Sequence, residues 1–272
     1  MIDQPDTALV DALQPSPNFG PRKGDRRLPD MLILHYTGVA TAAGAIDWLS
    51  RAESKVSAHY VIDEAGRITQ LVAENMRAWH AGLACWAGET DINSASVGIE
   101  IHNPGHDQGY PDFPDVQIER VIALSEDIIR RHRIPAARVL AHSDVAPVRK
   151  KDPGEKFPWA RLAGMGIGHW VAPEPVHPPD HGMATNAAGP LVADVQSVLR
   201  SYGYDLEPTG VSDSKTEFVV HAFQRHFRPE RVDGRIDQST ITTLERLCAA
   251  LPDGKNLANL ADRAGKRAGL AT

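Results

Sequence analysis

The chain has 272 residues, 42% of them hydrophobic and 24% charged, with a formal net charge of −6. At about 100–200 residues per domain, this length allows one large domain, or a medium and a small one, with enough apolar material for a true core. The mildly acidic balance and the lack of a long basic run exclude a nucleic-acid binder that grips phosphates with clustered Lys and Arg.

Cys85 and Cys248 stand far apart and no Cys-x-x-Cys pair occurs. A disulfide framework is therefore not expected, and any metal must be held by His and carboxylates. The opening Met1-Ile2-Asp3-Gln4-Pro5-Asp6 is not a basic segment leading into an apolar run, and no stretch is long enough to span a bilayer. A cytoplasmic location is expected on that basis, with the periplasm or cell envelope as the alternative.

Residues 1–27, rich in Pro, Asp and Arg, read as an irregular arm. Met31 to Leu34 is a short apolar run that stops at His35-Tyr36-Thr37-Gly38, a buried strand entering a loop. Ala42, Ala45, Ile46 and Leu49 follow at helical spacing. Ala58 to Ile62 and Arg67 to Val72, joined by Asp63-Glu64-Ala65-Gly66, predict a hairpin. From Ser96 to His102 the pattern alternates, with Val97, Ile99 and Ile101 on one face and Gly98, Glu100 and His102 on the other. Ile118, Val121, Ile122, Ser125 and Ile129 predict an amphipathic helix opened by Pro114-Asp115 and closed before Pro135. Arg138 to Ala141 is a further short strand that stops at His142. Strands alternating with helices predict an α/β fold, a mixed central sheet flanked by helices.

After Leu162 the composition shifts. Pro173, Pro175, Pro178 and Pro179, with His177 and His181 among them, predict an extended linker over 165–187. Three helical stripes then follow: Leu191, Val195, Val198 and Leu199; Val219, Val220, Phe223 and Phe227; Ile241, Leu244 and Leu247. Ser214-Lys215-Thr216-Glu217 reads as a capping box ahead of the second. These predict a small C-terminal three-helix domain over 188–251, near the lower size limit for a self-sufficient core. A tail over 252–272, Ala-, Gly- and Lys/Arg-rich from Asn256, is expected to fray.

Three ligand-capable residues stand where apolar strands end or just beyond: His35, His142, and Asp152 in Arg149-Lys150-Lys151-Asp152-Pro153-Gly154. Strand ends of an α/β sheet are where sites are usually built. Two neutral imidazoles and a carboxylate leave one tetrahedral position on zinc for water, the pattern of a catalytic site. Singly each signal is weak, since a lone His at a strand end is more often a hydrogen-bonded structural residue. Asp144 is a rival ligand, although its closeness to His142 suits a turn or a helix cap.

Around these residues lie Ser57-Ala58-His59-Tyr60-Val61, Ala78-Trp79-His80-Ala81-Gly82, Val97-Gly98-Ile99-Glu100-Ile101, Lys150-Lys151-Asp152-Pro153-Gly154 and Phe157-Pro158-Trp159. As a set they resemble the zinc N-acetylmuramoyl-L-alanine amidases related to phage T7 lysozyme and the peptidoglycan recognition proteins, over roughly residues 28–162. The resemblance implies a catalytic domain over 28–164 with one zinc ion on His35, His142 and Asp152. It implies Glu100 and Lys150 as catalytic partners, and Tyr60, Trp79 and His80 along the substrate groove. Some relatives carry Cys at the third ligand position, and Asp152 fits the bacterial amidase branch.

The chemistry of the residue types agrees. Glu100 could take a proton from the attacking water and return it to the leaving amine, while Lys150 could steady the oxyanion. Val195-Gln196, Gly203-Tyr204, Thr209-Gly210, Phe223-Gln224 and Asp233-Gly234, followed by Asp237 and Thr240, resemble the small peptidoglycan-binding module of many wall hydrolases. Gln, Gly and Asp-Gly at helix junctions could equally be cap and turn chemistry. Expected partners are peptidoglycan or muropeptides, met by a monomer with neither nucleic acid nor a membrane span. The alternative is a protein that recognises muropeptides without cutting them. A structural α/β protein whose polar residues are satisfied caps is the third reading.

Overall fold

The computed structural model describes residues 2–25 and 28–252. The expected fraying from Asn256 onward lies outside the described residues. They divide into two compact units, one taking residues up to Ala84, Thr90–His142 and Arg161–Gly168, the other Cys85–Glu89, Ser143–Ala160 and His169 onward. No helix among the described residues is long and apolar enough to cross a membrane.

The first unit is built on β1 (Ala12–Leu13), β2 (Phe19–Pro21), β3 (Met31–Tyr36), α1 (Ala42–Leu49), β4 (Tyr60–Ile62), β5 (Ile68–Gln70), β6 (Met76–Ala78), α2 (Ile92–Ala95), β7 (Ser96–Ile101), α3 (Asp115–His132) and β8 (Val139–Ala141). Six strands form one mixed sheet in the order β1-β5-β4-β7-β3-β8, and β2 pairs with β6 in a second, two-stranded sheet. Within the main sheet only β4 and β5 run antiparallel, as the hairpin pattern predicts. The segment expected to be an irregular arm carries two strands. Composition hides them because β1 takes its register from β5 rather than from an apolar pattern of its own.

The continuous apolar run Met31–Leu34 is fully buried, as befits a strand with parallel neighbours on both sides and covered faces. Register fixes which side chains share a face. His35 pairs with Glu100, Leu34 with Ala141, Tyr60 with Ile99 and Val61 with Glu100. Side chains at paired positions of parallel strands point the same way, so His35, Glu100 and Val61 share one face, and Tyr60, Ile99 and Ile101 the other. Helix α3 begins with Asp115 and ends with Arg130, Arg131 and His132, charges that complement its dipole.

In the second unit α4 (His142–Val145) and α5 (Trp159–Gly164) are short, and part of each belongs to the first unit. Helices α6 (Pro190–Tyr202), α7 (Ser214–Phe227) and α8 (Gln238–Ala249) bury the three expected stripes. The cap of α7 differs from the expected box: Asp213, one residue earlier, accepts from the Thr216 N–H at 2.9 Å. An Asp reaches N3 from there, whereas Ser214 already has helical geometry.

Gln196 accepts from the Gly210 N–H and Gln224 from the Gly234 N–H, each at 2.8 Å. Asp213 and Asp237 then cap the next helices. The junction residues of the module motif thus repeat one construction twice. Part of the Pro-rich segment is held against α8: the Glu174 N–H donates to Thr243 Oγ1 and Ser239 Oγ to the Glu174 carbonyl.

Candidate active site

Three parallel strands deliver their C-terminal ends side by side. His35 sits near the end of β3, Glu100 is paired beside it on β7, and His142 follows β8 in the next place of the β3–β8 register. His35, His142 and Asp152 are all buried, and one ligand atom from each lies within 4.8 Å of the others. His142 Nε2 lies 3.1 Å from the Ala81 carbonyl oxygen, which can only accept, so that nitrogen holds the proton and Nδ1 offers its lone pair. His35 Nδ1 stands 2.9 Å from His142 Nδ1. Two zinc–nitrogen bonds at a tetrahedral angle would set them about 3.3 Å apart. The Ser143 N–H donates to the Asp152 carbonyl at 3.0 Å, tying down the turn that bears this carboxylate. Two imidazoles and a carboxylate make a zinc donor set with a fourth position left for water, so the residues present fit the metal.

Glu100 is half-buried and shares its face with His35. Lys150 is also half-buried, two residues before Asp152, with its backbone N–H on the Ala146 carbonyl. Of the three residues expected along the groove, Trp79 is half-buried, with its N–H donating to Ser57 Oγ. His80 is buried, with Nδ1 2.9 Å from His35 Nε2. Burial, reinforced by the neighbouring His35, holds its pKa well below the usual histidine range.

Tyr60 is a correction. It is fully buried on the face opposite His35 and Glu100, and its hydroxyl donates to Glu74 Oε1 at 2.6 Å. A side chain on that face has no surface to offer a substrate at the strand ends. Burial, and then Glu74, raises its pKa well above the usual phenol value.

Glu74 is itself a hub that no sequence pattern marks. It accepts from Arg131, His132 and Tyr60, and Asp6 holds its backbone N–H. Burial alone would raise its pKa, but these donors outweigh that and bring it to about 2. His59 is buried, its ring edge-on to that of His80 with centroids 5.8 Å apart. Its Nδ1 accepts from the Gly98 N–H and its Nε2 donates to the Met76 carbonyl. Burial and then Arg22 lower its pKa to about 3. His102 is buried beside Thr37 Oγ1, at 3.1 Å.

Asp144, the rival ligand or cap, is engaged by residues far along the chain. Within the second unit its buried carboxylate accepts from Tyr204 Oη and from His226 Nδ1, each at 2.7 Å. Both partners come from far along the chain, so nothing local signals them.

Residues 25–155 match the family model described as N-acetylmuramoyl-L-alanine amidase, and residues 188–244 match a putative peptidoglycan binding domain. Over 230 residues the chain is 36% identical to the N-acetylmuramoyl-L-alanine amidase AmiD of Escherichia coli K12, covering 80% of this chain and 81% of that protein. The chain belongs to the N-acetylmuramoyl-L-alanine amidase family.

Solved amidase structures share its fold. AmiD from E. coli in complex with anhydro-N-acetylmuramic acid-L-Ala-D-γ-Glu-L-Lys superimposes with a TM-score of 0.68 at 34% identity, covering 83% of this chain and 91% of that one. AmpDh3 from Pseudomonas aeruginosa in complex with anhydromuramic pentapeptide gives 0.67 at 34% identity, covering 82% and 91%. The amidase match embraces His35, Glu100, His142, Lys150 and Asp152, and the binding-domain match covers α6 and α7 and most of α8.

Proposed function

We propose that the chain hydrolyses the amide between N-acetylmuramoyl and L-alanine in peptidoglycan or its muropeptides, with one zinc ion on His35, His142 and Asp152. The observation that carries this is the convergence of three buried donors within 4.8 Å at the strand ends of an amidase-family sheet. Bound zinc would lower the pKa of a water toward about 7 and polarise the scissile carbonyl.

The chain's own residues do the rest. Glu100 takes a proton from the attacking water and delivers it to the amide nitrogen as the C–N bond breaks and the C–O bond forms. The Lys150 ammonium faces the charge that develops on the carbonyl oxygen, and Trp79 lends a half-buried aromatic wall to the sugar-peptide. Muropeptides are favoured as substrates because AmiD and AmpDh3 were both solved with anhydromuramic peptides. Residues 28–164 form the catalytic part and 188–251, beyond the linker at 165–187, a wall-binding part that raises local concentration on a polymer.

Glu100→Gln tests the assignment. It is expected to keep zinc and to lose turnover of a soluble anhydromuramic peptide by about a hundredfold or more, with release of the L-alanine-headed peptide followed by mass spectrometry. Near-normal turnover would remove Glu100 from the chemistry. A wild-type chain that binds the peptide but never cleaves it would favour the recognition reading.

A further inference from the structure

An imidazole has two nitrogens, and only one of His35's can face a metal. The choice is made by a chain of contacts running away from the site. Ser96 Oγ lies 2.6 Å from the Ile92 carbonyl oxygen, which only accepts, so the hydroxyl proton is engaged there. The same Oγ lies 3.1 Å from His80 Nε2 and must accept from it. A neutral His80 with its proton on Nε2 has a bare Nδ1, and that atom is 2.9 Å from His35 Nε2. His35 therefore carries its proton on Nε2. Its Nδ1, opposite His142 Nδ1, is left as a lone pair aimed into the metal position.

The His80 ring is seated as well as bonded. A Cβ at Gly98 would stand 2.5 Å from His80 Cγ, so the ring occupies the space that any other residue would fill. Asn93 Oδ1 accepts from the backbone N–H groups of His80 and Ala81 at 3.0 and 2.8 Å, fixing the segment behind both rings.

We propose that His80 and Ser96 are positioning residues that lock His35 in the Nε2–H tautomer and so present its Nδ1 to zinc. His80 thus acts on the metal from behind rather than along the substrate groove. Outer partners of this kind orient ligating histidines and raise their basicity. The inference rests on the zinc reading above, and the experiment separates the two.

Ring nitrogen signals of His35 in the zinc-free full chain, from two-bond proton–nitrogen NMR, report the tautomer directly. Zinc affinity is measured by chelator competition for wild type, Ser96→Ala, His80→Leu and His80→Asn. Wild type is expected to show His35 protonated on Nε2. Ser96→Ala and His80→Leu are expected to weaken zinc binding by about 10–100-fold, and Ser96→Ala to give rise to an Nδ1–H signal on His35. His80→Asn, whose amide oxygen can accept where Nδ1 does, is expected to recover most of the affinity.

An Nδ1–H His35 in wild type overturns the proposal, as does a folded Ser96→Ala chain with unchanged affinity. Should His80→Leu fail to fold, the wild-type spectrum and Ser96→Ala still decide. A wild-type chain that takes up no zinc defeats the metal reading itself. Zinc lost in Asp152→Ala but untouched in Ser96→Ala defeats only the tautomer lock.

Discussion

Tyr60→Phe separates a substrate contact from a buried strut. The hydroxyl donates at 2.6 Å to Glu74, a carboxylate that ionises down to about pH 2 and is almost wholly buried. Hydrogen bonds to charged groups contribute about 1.5–3 kcal/mol. Here Glu74 keeps Arg131 on both oxygens and His132 on one, so the carboxylate is not stranded. That places the cost toward the lower end, about 1.5–2 kcal/mol, equivalent to roughly 3–8 °C in Tm for a domain of this size. The assay pairs thermal unfolding with kcat and KM on a soluble anhydromuramic peptide. A loss of stability with kinetics within about twofold of wild type is expected, since nothing within the reach of His35 changes. A KM raised about tenfold with Tm unmoved would put Tyr60 in the groove after all and refute the argument from strand register.

Other outcomes follow from the buried polar groups. His59 has a folded pKa near 3 against an ordinary 6.5, so as pH falls below 6.5 the unfolded chain takes up a proton that the folded chain refuses. Its contribution is complete above pH 6.5 and declines by about 1.4 kcal/mol per pH unit toward pH 3. Urea midpoints of zinc-free protein between pH 6.5 and 4.5 should show at least that slope, because His80 is likewise held below its usual range, and a flat profile would contradict it. Asp144→Ala leaves the Tyr204 hydroxyl and the His226 N–H buried without their acceptor, at a cost of about 3 kcal/mol or more in urea unfolding; a change below about 0.5 kcal/mol would show that the pair is dispensable. Gly98→Ala drives a methyl toward the His80 ring and is expected to cost about 1–3 kcal/mol, with weakened zinc uptake alongside it. Unaltered stability and zinc uptake together would show that the ring has room to move.

What the sequence revealed about the site depended on how local each signal was. His35 and His142 are legible because an apolar run stops at each, and that pattern belongs to one strand at a time. Asp152 over Asp144 was not decidable from spacing. The difference lies in Tyr204 and His226, which engage the Asp144 carboxylate, and only the resemblance favoured Asp152 beforehand. Tyr60 was misplaced for a related reason. Alternation shows that Tyr60 and Val61 face opposite ways, but not which of them faces the site; pairing with β7 decides it. The strands inside the expected N-terminal arm were hidden because their partners, β5 and β6, lie well downstream.

The strand β7 shows how far one local pattern can reach once its partners are known. Alternation correctly separates Ser96, Gly98 and Glu100 from Val97, Ile99 and Ile101, and the ordinary expectation would make the first set a solvated face. In the sheet that face is shared with His35 and is largely buried, so each of its residues meets a specific neighbour. Ser96 accepts from His80, Gly98 leaves space for the same ring, and Glu100 stands beside His35. An apolar residue at either of the first two positions would keep the strand intact, since its backbone ladder and its other face would be unchanged. What would change is the seat or the tautomer of one imidazole, and through it the donor that His35 offers. On the proposed zinc reading, the polar face of this strand therefore serves the donor that His35 offers, and not contact with water.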